Sequence, residues 1–85
     1  DLAVPNEEML SQEAALSIAT AALPVTIENP EIDYLLAQST SLSGINTEYI
    51  WRIVFLRNGK KLYQVNLSAL DGTVYDVFDL SNGKG

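Results

Sequence analysis

The chain contains no cysteine and no histidine. Without cysteine there is no disulfide framework, no thiolate zinc site and no thiol nucleophile. Without histidine there is no imidazole base, no Ser-His-Asp triad and no histidine metal ligand. The missing cysteine leaves the redox compartment open. Bases are also scarce. Five Lys and Arg stand against 11 Asp and Glu, for a formal charge of −6. Such a balance repels phosphate and argues against general nucleic-acid binding. No apolar run approaches the roughly 18 residues that a membrane-spanning helix needs. No basic start leads into an apolar segment, so these residues predict no signal peptide. A chain that opens on Asp1 rather than Met is expected to be processed or trimmed.

What is present suffices for one core. Eighty-five residues fit a single domain. An apolar fraction of 47% against 19% charged separates the chain from a disordered polymer. The charge is unevenly placed. Residues 1–48 hold eight acids and no base, whereas residues 49–85 hold three acids and five bases. The acidic half reads either as solvated charge or as a face that steers a basic partner.

Residues 1–10 read as a lead-in, with Pro5 and Asn6 discouraging regular structure. Ser11 is a good N-cap, and Glu13 suits the positive end of a helix dipole. From Gln12 to Leu23 the residues are mostly helix formers, and Ala15, Ile18, Ala19 and Ala22 form one stripe. Pro24 ends the helix by excluding its predecessor from the α region. Strands are expected over 32–37, 49–57, 61–68 and 73–79. Residues 38–48 read as a polar loop and 81–85 as a flexible tail.

Asn58-Gly59 is a strong hairpin signal. A two-residue turn would set Trp51 opposite Asn66 and mix polar with apolar residues on each face. The alternation of Tyr49, Trp51, Ile53 and Phe55 with Tyr63, Val65 and Leu67 argues against that register. A three-residue loop, Arg57-Asn58-Gly59, would pair Ile53 with Tyr63 and Trp51 with Val65. At the next turn, a four-residue connection pairs Leu67 with Val74 and brings Asp76 to the core side. A bulge there would turn Tyr75 and Val77 inward instead. The expected fold is α+β: one N-terminal helix packed on an antiparallel β-meander of three to four strands.

Two motifs go beyond fold class. Ser11-Gln12-Glu13-Ala14-Ala15-Leu16-Ser17-Ile18-Ala19 resembles the opening of the PepSY family, and Tyr63 to Val74 resembles that family's closing motif. Trp51-Arg52-Ile53-Val54-Phe55 sits where its preceding strand belongs. The resemblance covers most of residues 10–79 and frames a PepSY-like domain over 11–80. Two positions depart from the pattern: Ser68 stands where the family usually has Asp, and the segment from Pro24 to Glu48 is longer than usual. The resemblance implies a secreted or cell-envelope setting in bacteria. It also implies a non-catalytic module that binds and regulates, or inhibits, a peptidase or another envelope protein. The alternative is a structural domain that self-associates as a homodimer or packs on the rest of a longer secreted protein.

No residue pattern points to chemistry. Asp71, Asp76 and Asp79 lack the alternating acids and distant Glu of a calcium loop. Glu7, Glu8 and Glu13 lack any partner motif for general acid work. Asn66-Leu67-Ser68 fits a glycosylation sequon but falls inside an expected strand. No catalytic residue, metal ligand or cofactor is therefore expected, and the chain is not expected to be an enzyme. With Trp51, Ile53 and Phe55 toward the helix, Ile50, Val54 and Leu56 face away. Together with Leu62, Tyr75 and Val77 they are the candidate partner interface, because an open sheet face is normally polar.

Overall fold

The computed structural model describes residues 9–40 and 47–81. The first eight residues of the lead-in, the centre of the polar loop and residues 82–85 of the tail lie outside the described residues. Among the described residues a single helix, α1 (Gln12–Ala22), precedes four strands: β1 (Glu31–Thr40), β2 (Thr47–Arg57), β3 (Lys60–Ser68) and β4 (Val74–Asp79). The strands form one antiparallel sheet in chain order, with β1 and β4 at its edges. This is the α+β meander expected from sequence. β1 and β2 extend farther toward each other than composition indicates, since 38–40 and 47–48 are strand rather than loop.

Helix α1 begins as its capping chemistry dictates. Ser11 is extended, and its hydroxyl accepts from the Ala14 N–H at 3.0 Å, supplying a partner to one free donor of the first turn. The helix ends at Leu23, one residue before Pro24. Ala15 and Ala19 are fully buried, so the small stripe brings the helix close to β2, β3 and β4. Beneath it lie Trp51, Ile53 and Phe55 of β2, and Tyr63, Val65 and Leu67 of β3. Ile32, Tyr34 and Leu36 of β1 pack against the same core. Tyr34 meets Trp51 edge-to-face, with ring centroids 6.4 Å apart.

The register of the first hairpin corrects the expected three-residue loop. Asn58 and Gly59 form a two-residue turn with φ of 55° and 78°, the double positive φ of a type I′ turn, and Arg57 pairs with Lys60. The facing is repaired one step later. Leu56 pairs with Lys61 but Phe55 with Tyr63, so Leu62 is an extra residue in β3. Ile53 therefore lies opposite Val65, and Trp51 opposite Leu67, rather than Tyr63 and Val65. Both local signals are satisfied: the turn keeps its favoured geometry and the bulge restores the apolar face.

The second hairpin uses the same device. Leu67 pairs with Val74, then Tyr75 is passed over and Val65 pairs with Val77. Asp76 consequently sits opposite Asn66, on the face away from the helix, and not toward the core. The turn is fixed by Ser68. Its buried hydroxyl accepts from the N–H groups of Leu70 and Asp71, at 3.1 and 3.3 Å. The end of this hairpin is stitched to two other segments. Ala69 donates to the Tyr49 carbonyl and accepts from the Leu10 N–H, at 2.8 and 2.7 Å.

Candidate interaction surface

Pleating places successive residues on opposite faces, so the register defines the outer face row by row. One row runs Leu35, Arg52, Asn66, Asp76, and the next runs Asp33, Val54, Gln64, Phe78. Ala37, Ile50 and Ser68 form a third row, and Glu31, Leu56 and Lys61 a fourth. The face is thus divided. Toward β3 and β4 it is polar apart from exposed Phe78, with Gln64 donating to Asn66 and Asn66 donating to Asp76, both at 3.3 Å. Toward β1 and β2 apolar side chains alternate with the charges of Glu31, Asp33 and Arg52, Leu35 being half exposed and Ile50 and Leu56 partly so.

The six residues singled out from sequence do not form one patch. Ile50, Val54 and Leu56 share the outer face of β2. Val54 is only 9% exposed, far more buried than an open face suggests. It has Asp33 and Gln64 directly opposite on its two neighbouring strands. Leu62, the bulge residue, packs against the core. Val77 is in register with Val65, on the helix side, yet remains 40% exposed because it lies on an edge strand. Tyr75 is the extra residue of β4 and is also exposed.

Leu35 and Phe78 complete these surfaces but stand out less in the sequence. Leu35 belongs to an apolar run without alternation, so its facing becomes readable only through its pairing with Arg52. Phe78 is placed outward by the Tyr75 bulge. A further concavity of about 450 Å³ lies between the C-terminal end of α1, residues 24–30 and the inner side of β1 and β2. Leu16, Leu23, Ile27, Ile32 and Phe55 line it. It depends on tertiary packing and leaves no local signal.

The electrostatics of β4 come from short hydrogen bonds. Asp79 accepts from the hydroxyl and then the backbone N–H of Ser81, which hold its carboxyl below the usual carboxylate range. Tyr63, buried beside it, has its phenol pushed up by burial and then by the Asp79 charge; the two side chains are 3.5 Å apart. Asp71 is also lowered, chiefly by the Thr73 N–H at 2.9 Å. Among the described residues, no group of three or more acids sits where it could hold a metal ion.

No family model, curated protein or solved structure matches the chain.

Proposed function

We propose that this chain is a non-catalytic, PepSY-like interaction module that works outside the cytoplasm, binding and regulating a peptidase or another cell-envelope protein. The observation that carries this reading is the divided sheet. One face is filled by α1, while the other keeps Leu35, Ile50 and Leu56 at a solvent-accessible surface beside exposed Arg52. Apolar anchors with a charged rim are the usual composition of a protein contact. The Ser68 hydroxyl lends support to the family reading. It accepts two backbone N–H groups at the position where PepSY sequences usually carry Asp, a task that a carboxylate performs equally well.

The test pairs the chain with a secreted metallopeptidase encoded beside it. The chain is expected to bind the enzyme and slow its cleavage of a fluorogenic peptide. Leu35→Lys with Leu56→Lys should weaken that effect roughly tenfold or more, with an unchanged circular dichroism spectrum. Absence of binding to neighbouring envelope proteins and peptidases overturns the reading. Concentration-dependent self-association in sedimentation replaces it with the homodimer alternative.

A further inference from the structure

We propose that the free edge of β4 is a strand-addition site for an extended segment of a partner protein in which Lys or Arg alternates with apolar residues. The proposal rests on the reading of the chain as an interaction module, and it names both the place and the chemistry of the partner.

Three observations converge on this edge. First, among the described residues β4 has β3 as its only neighbour in the sheet. Leu80 donates to the Leu62 carbonyl at 2.8 Å. The antiparallel alternation then puts the hydrogen-bonded pairs at Leu80, Phe78 and Asp76. The N–H and C=O groups of Val77 and Asp79 therefore point away from β3, along the outer edge of the sheet. Second, exposed apolar side chains flank this ladder on both faces. Val77 lies on the helix side and Phe78 on the outer side, 40% and 44% exposed, with Tyr75 at 46% beside them. An added strand would cover both faces at once, which a flat contact with the outer face would not.

Third, the charges select the occupant. From Leu62 to Gly83 the only charged residues are Asp71, Asp76 and Asp79. Asp76 is held by Asn66 and Asp79 by Ser81, so both carboxylates are fixed in place. A second copy of this chain cannot answer them. A β4–β4 pairing centred on Asp76 or Asp79 opposes like charges. The other free edge, β1, carries Glu31 and Asp33 and no base. No register with either edge strand supplies a counter-charge, whereas a basic, alternating segment can set its Lys or Arg side chains on the outer face beside Asp76 while its apolar residues cover Val77 on the helix side.

The experiment is a titration of the isotopically labelled chain with two capped heptapeptides, one alternating Lys and Val, the other Glu and Val. The Lys peptide is expected to shift the Val77 and Asp79 amides and slow their hydrogen exchange. The Glu peptide should bind at least tenfold more weakly. Val77→Pro removes an N–H that points away from β3, where proline is tolerated, and should abolish binding. Asp76→Lys with Asp79→Lys should reverse the preference between the peptides, which keeps the test decisive if the proline variant fails to fold. Equal binding of both peptides, or shifts confined to the outer face, overturns the proposal. So does concentration-dependent protection of the same amides without peptide, which assigns the edge to a second copy. Peptide binding at β4 without any effect on a peptidase removes the regulatory reading and leaves this inference standing. Peptidase regulation undisturbed by Val77→Pro does the reverse.

Discussion

Gly59 and Gly72 have nearly the same backbone angle, φ of 78° and 79°, and opposite surroundings. Gly59 occupies the tip of the first hairpin, and a Cβ added there would meet nothing within 4 Å. Gly72 lies in the second hairpin beneath the helix, and a Cβ there would fall 2.7 Å from Cδ1 of Ile18 and 3.4 Å from Cδ1 of Leu10. The first turn is set chiefly by the local Asn58-Gly59 pair, with a single tether from outside it, the Gly59 N–H donating to the Glu31 carboxylate at 3.1 Å. The second is a tertiary one, in which backbone conformation and helix docking require the same residue. An identical angle therefore answers to different physics at the two ends of β3.

Substitution separates the two causes. Gly72→Ala should be the most costly, at about 2–4 kcal/mol. It combines the left-handed strain of a residue with a Cβ and the displacement of a packed side chain. Against a total of roughly 4–13 kcal/mol for a domain of this size, that is a large loss, and urea denaturation would register it. Ser68→Ala should follow, at about 1–3 kcal/mol, because two N–H groups of the second turn lose their acceptor in a buried position. Gly59→Ala should cost about 1 kcal/mol, from backbone strain alone. If Gly59→Ala and Gly72→Ala prove equal, helix docking does not fix the second turn.

The smallest effect is a difference in acid response. The folded-state pKa of Asp71 lies below its ordinary value of 3.8 because the Thr73 N–H, above all, favours the carboxylate. Its contribution is complete above that ordinary value and is lost as pH falls through the lower folded one. Amide protection at the second turn should therefore decline below pH 4 or so before that at the centre of β2 and β3, and Asp71→Asn should remove the difference. Retention of the difference in that variant would place its origin elsewhere.

The helix was legible in sequence because each of its signals is local: the Ser11 cap, the alanine stripe and the Pro24 stop. Strand order and the positions of the two turns were legible for the same reason, whereas the length of the first loop was not. The bulges at Leu62 and Tyr75 were not. A bulge settles a conflict between a turn's preferred geometry and the face that must be buried, and one strand's sequence does not say which residue is passed over. This accounts for the uneven fate of the surface residues. Ile50 and Leu56 follow from the alternation of β2 alone. Leu62, Tyr75 and Val77 depend on where the extra residues fall, and Val54 on what its neighbouring strands place opposite it.

The indole of Trp51 donates from Nε1 to the Leu10 carbonyl at 3.0 Å, across 41 positions of sequence. It is the one tryptophan in the chain and is only 4% exposed. The consequence is optical. The protein carries a built-in fluorophore at the junction where the residues entering α1 meet the second strand. Loosening of that junction should redden its emission before the sheet itself gives way, so helix release and sheet melting can be followed separately in one unlabelled sample.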